Sequence, residues 1–66
     1  MSRRGNSGKQ HYTCWSDDDE TEQLFHTKAH NAREAAEEFA KTRLTHLERC
    51  RVEVRNSTGD ISRHDI

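Results

Sequence analysis

The sequence predicts a small α+β domain of ββαββ order, in which one amphipathic helix packs on one face of a small antiparallel sheet. Three observations carry this. Arg51-Val-Glu-Val-Arg55 alternates strictly, an apolar stripe at helical spacing follows a capping sequence at Asn31, and a β-forming run ends in an acidic turn at Ser16–Glu20. At 66 residues there is room for one domain, and domains of this size bury only about 60% of the surface their unfolded chains expose. The core must be thin. With 29% hydrophobic and 35% charged residues, folding depends on the apolar positions being grouped periodically rather than scattered.

The segment 1–9 is polar, contains glycine and serine, and has no large apolar residue beyond Met1, so it reads as a flexible basic tail ahead of a domain over 10–66. From Gln10 to Ser16 the residues favour a strand, with Tyr12 and Cys14 on one face and His11, Thr13 and Trp15 on the other. Thr21 to Thr27 is expected to return as the second strand of a hairpin. Adjacent Leu24 and Phe25 cannot both point inward there without a bulge or a strand end.

Asn31-Ala-Arg-Glu34 fits a capping box, the Asn31 side chain accepting an amide three residues on and Glu34 reaching back to the cap. Ala32, Ala35, Ala36, Phe39, Ala40 and Leu47 then share one helix face, opposite Glu34, Glu37, Glu38, Lys41 and Thr45. Arg43 falls near the middle of the apolar face; its stem is expected along the core edge with its head in water. Val52 and Val54 mark the inner face of the third strand. Asn56–Asp60 is a turn in which Gly59 supplies positive φ, and Ile61–Ile66 returns as an edge strand.

Charge nearly cancels, 11 basic residues against 12 acidic, but its distribution is uneven. Arg3, Arg4 and Lys9 stand without an acid before position 17, whereas Asp17, Asp18, Asp19, Glu20 and Glu22 stand without a base. The sequence has neither a bilayer-length apolar run nor a signal peptide, which points to the cytoplasm and to Cys14 and Cys50 as buried thiols rather than a disulfide.

Two chemistries are disfavoured, one by residue spacing and the other by the size of the chain. Five histidines and two cysteines invite zinc, yet no close Cys pair or finger-type His pair occurs, and His26 and His30 straddle a strand-to-helix junction. A catalytic cysteine or a carboxylate pair needs an enclosing pocket, which one helix on a small sheet does not build. The expectation is a non-enzymatic chain with no cofactor, metal or catalytic residue, working through its outer surface.

The acidic cluster is the most distinctive part of that surface. Asp is common in turns for local hydrogen-bonding reasons, so a solvated hairpin turn is one reading. The other is that Asp17, Asp18, Asp19, Glu20 and Glu22, joined by Glu34, Glu37 and Glu38, repeat negative charge in the manner of a phosphate backbone and seek a Lys- and Arg-lined groove. Trp15 at its border either packs at the sheet edge or anchors an interface.

In Tyr12–Glu22, Asn31–Ala40 and Val52–Ile61 the chain resembles small phage and mobile-element proteins with a hairpin, an alanine- and glutamate-rich helix and a closing hairpin. Several anti-CRISPR inhibitors are similar in size. This resemblance implies a host protein as partner, a CRISPR effector subunit whose basic DNA-binding groove the acidic surface would occupy. It carries over no residue roles. Two other expectations stand beside it. One is direct nucleic-acid binding by the tail and a sheet face bearing His11, Thr13, Arg51, Arg55 and Arg63, with Tyr12, Trp15 and Phe25 as the residues able to stack on bases. The other is a homo-oligomer closed through an unpaired edge strand.

Overall fold

The computed structural model, which describes residues 8–66, has the elements β1 (Gln10–Trp15), β2 (Phe25–Ala29), α1 (Ala32–Arg43), β3 (Arg51–Arg55) and β4 (Ile61–Asp65). Residues 1–7 of the expected tail lie outside the described residues. The four strands form one antiparallel sheet in the order β2-β1-β3-β4. The two hairpins therefore meet at β1 and β3, where Thr13, Cys14 and Trp15 pair with Arg55, Val54 and Glu53. These strands hold Cys14, Val52 and Val54, all fully buried, so the centre of the sheet suits them.

One sheet face carries the core. Tyr12 and Cys14 turn inward as expected, and Phe39, fully buried, inserts between the helix and the sheet. Burial of a side chain this size contributes roughly 2–3 kcal/mol. Ala35, Ala36 and Ala40 lie buried around it and let α1 approach the strands closely. Phe25 completes the layer, its ring edge-on to Phe39 at 5.4 Å between centroids. Leu24 points out instead, so the adjacent pair is resolved by starting β2 at Phe25, later than the sequence suggests.

At the helix start the Asn31 side chain accepts the Glu34 N–H at 2.8 Å. The return contact differs from a standard capping box: the Glu34 carboxylate accepts the His30 N–H at 3.1 Å, one residue before the cap, and also meets the His30 ring at 3.1 Å. The helix ends at Arg43, short of the expected Leu47. Leu44, 2% exposed, caps it with its N–H on the Ala40 carbonyl, and the Leu47 N–H then bonds the Leu44 carbonyl in a tight turn. Ending there lets both leucines fold under the helix terminus, Leu47 packing on the core from the turn and Thr45 leaving the helix altogether. Gly59 takes φ 96 in the Asn56–Asp60 turn, as its position predicts.

Candidate functional site

The connection from Trp15 to Phe25 is held from two sides. On the β3 side, the Ser16 hydroxyl donates to the Arg51 carbonyl and accepts the Asp18 N–H at 3.0 Å, while the Asp18 carboxylate accepts the Arg51 N–H at 3.2 Å. On the helix side Asp19, 4% exposed, accepts the Thr21 N–H at 3.1 Å, the Thr21 hydroxyl at 2.9 Å and Arg43 Nη1 at 2.8 Å. Burial works against ionisation of Asp19, but the Thr21 amide and hydroxyl and the Arg43 charge outweigh it and hold the carboxyl below its ordinary range. Glu22 takes φ 56, a left-handed conformation uncommon for a residue with a side chain, and its N–H bonds the Asp19 carbonyl at 3.2 Å.

This corrects two expectations. The Arg43 head is not free in water: its side chain is 22% exposed, but the guanidinium lies over the Phe25 and Phe39 rings, 5.6 and 5.8 Å from their centroids, and ends on Asp19 and Thr21. Asp19 is not part of an exposed acidic cluster, because its carboxylate is buried and already committed to the fold. A cation on an apolar helix face needs a buried anion, and that signal was present in the sequence at Arg43.

Around this scaffold Asp17, Glu20 and Glu22 remain exposed. With Trp15, Gln23, Leu24 and Arg55 they line an open cleft of about 620 Å³. Leu24 is 52% exposed, Trp15 is half-buried, and the Arg55 guanidinium sits 6.0 Å over the indole. Apolar surface rimmed by carboxylates is thus the property of this end of the sheet, and Leu24 and Arg55 are contributors that the sequence reading did not assign to it.

Glu34, Glu37 and Glu38 do not join it. They lie on the outer side of α1, across the sheet from Trp15, and the rise from Glu34 to Arg43 separates the two ends of the helix by about 13 Å. Glu34 is engaged with His30, whose backbone N–H is the main reason its carboxyl is held below the usual range, and Glu37 pairs with Arg33 at 3.4 Å. The expected acidic surface is divided into two.

The sheet face turned away from α1 differs in character. Register places Lys28, Arg51, Arg55 and Arg63 on it, with Glu53 and Asp65 as its acids and Trp15 as its aromatic residue.

Neither thiol is placed for nucleophilic chemistry. Cys14 is fully buried against the Ala35 carbonyl, with its sulfur 3.6 Å from that oxygen, and burial pushes its pKa up to about 11. Cys50 is raised too, by burial and then by the Asp18 charge. Both are free. In the folded protein at pH 8, Ellman's reagent is expected to react with them far more slowly than in guanidinium, and equal rates would contradict the burial of both thiols. Among the described residues no three His, Cys, Asp or Glu side chains converge as metal ligands, and no helix is long and apolar enough to cross a membrane.

Compared with protein-family models, curated proteins and solved structures, the chain finds no match.

Proposed function

We propose that this chain is a non-enzymatic binding module that takes a basic surface of a protein partner into the Trp15–Leu24 cleft. The observation that carries this reading is the pairing of partly exposed apolar surface, Trp15 and Leu24, with the exposed carboxylates Asp17, Glu20 and Glu22. An arginine or lysine side chain suits such a cleft because its stem covers apolar surface while its head meets the carboxylates. A groove that ordinarily holds nucleic acid supplies side chains of that kind, so the module would act as a steric and electrostatic competitor of nucleic acid. The DNA-binding groove of a CRISPR effector subunit is a partner of this chemistry. Asp19 serves as the internal support of the cleft, and the helix glutamates are outside it.

Trp15 is the chain's one tryptophan, so its fluorescence reports on the cleft directly. Titration with an arginine-rich peptide is expected to change that emission saturably, and the D17K/E20K/E22K variant to lose the response by about tenfold or more. An unchanged affinity in the variant would remove the cleft from consideration.

A second reading is favoured by a separate observation, the Arg55 guanidinium over Trp15 on a sheet face that also bears Lys28. Such a face offers stacking and phosphate contact to single-stranded nucleic acid. Oligothymidylate in place of the peptide separates the two: quenching by it that weakens steeply with salt and survives D17K/E20K/E22K supports the second reading.

A further inference from the structure

β4 is an outer strand, and among the described residues no strand lies beyond it. Its bonds to β3 fix which backbone groups face outward. Cys50 and Ile66 exchange both N–H···O=C bonds, at 3.1 and 2.9 Å, and the Asn56 N–H donates to the Asp60 carbonyl at 2.9 Å. Bonded pairs alternate with non-bonded pairs along an antiparallel ladder. With the observed register, the bonded pairs between these two are Val52 with His64 and Val54 with Ser62. Ile61, Arg63 and Asp65 therefore turn their N–H and C=O groups away from β3. A bare row of this kind is a template for another strand.

Side-chain charge selects which strand fits. Arg63 and Asp65 have opposite charge, stand two residues apart, and both direct their backbone groups outward. A second β4, antiparallel and centred so that His64 faces its symmetry mate, sets Arg63 opposite Asp65 of the other copy on both sides of the axis. Each such pair can exchange two backbone hydrogen bonds. Within one chain Arg63 already meets Glu53 at 3.9 Å and Arg51 meets Asp65 at 3.5 Å. Pairing extends these contacts into a row that reads Glu53, Arg63, then Asp65 and Arg51 of the second copy, alternating in sign throughout. Shifting the centre to Arg63 would place two arginines face to face, which opposes pairing. The other edge, β2, carries His26 and Lys28 with no acid, so a second β2 has nothing complementary to offer.

We propose that the chain forms a two-fold dimer by β4–β4 pairing, giving one sheet that runs through both copies. Light scattering over a concentration series is expected to show twice the chain mass at high concentration, falling to one chain on dilution. R63D and D65R each place like charges opposite one another at both pairs and are expected to weaken the dimer about tenfold or more. Mixed in equal amounts, the two variants are expected to recover it, because each supplies the charge the other lacks. Circular dichroism checks that each variant is folded. Should either lose its fold, R63P takes its place, since the backbone N–H it removes faces outward rather than bonding β3, and it is expected to abolish the dimer. A single-chain mass at every concentration, reversals without effect, or folded variants that fail to associate when mixed would each overturn the proposal.

Discussion

Phe39→Ala is expected to leave the domain largely unfolded at room temperature. The ring is fully buried and meets Phe25 edge-on at the one place where the helix sets a large apolar side chain against the sheet. Truncating a buried phenylalanine costs about 3–5 kcal/mol, and a chain of this length has roughly 3–10 kcal/mol of stability in all. The flanking positions are Ala35, Ala36 and Ala40, whose side chains are too short to fill the space left behind. Phe39→Leu keeps most of the volume and is expected to stay folded with a lower midpoint. Urea denaturation followed by far-UV circular dichroism measures both, and a midpoint unmoved by Phe39→Ala would mean that the helix does not pack on the sheet through this residue.

The second large effect is expected at Arg43. Arg43→Met keeps an apolar stem near Phe25 and Phe39 but leaves Asp19 without its cation, in a position 4% exposed. The thermal midpoint should fall by several degrees, and the Trp15–Phe25 connection should lose order because Thr21 and the Gln23 carbonyl lose the same partner. The pH dependence carries a distinct signature. Because the folded state holds the Asp19 carboxyl below its ordinary range, its contribution is fully present above the unfolded value and is lost as pH falls through the folded one. The acid-induced loss of stability below about pH 4 should therefore be shallower in Arg43→Met than in the parent chain. Thermal melts at pH 3 to 7 test this, and parallel curves would show that Arg43 does not hold Asp19 ionised.

What the sequence made legible was local. Tyr12 with Cys14 and Val52 with Val54 announced their faces by two-residue alternation, Asn31 announced the helix start, and Gly59 the last turn; each signal lies within a few residues. The Asp19–Arg43 pair joins positions far apart in the chain, and nothing near Asp19 distinguishes it from Asp17 or Asp18. For that reason the acidic run reads as one exposed cluster when it is two things, a buried support and an exposed rim. The helix ends earlier than its periodicity implies for a related cause: Leu47 keeps the helical spacing, but Leu44 and Leu47 reach the core by a turn after Arg43, which periodicity does not encode. The strand order, too, depends on which hairpin edges meet, and periodicity within a strand carries no record of its neighbour.

The meeting of the two hairpins at β1 and β3 also bears on how the chain reaches its native state. Pairing of β1 with β2 and of β3 with β4 requires only short closures, whereas bringing Trp15 to Glu53 requires the whole intervening chain, helix included, to be gathered first. Closing the seam between the halves is thus expected to be the slow event, and its entropic cost grows only slowly with loop length. Glycine–serine inserts in the 45–49 connection should accordingly slow refolding only slightly, while substitutions along the seam govern its rate.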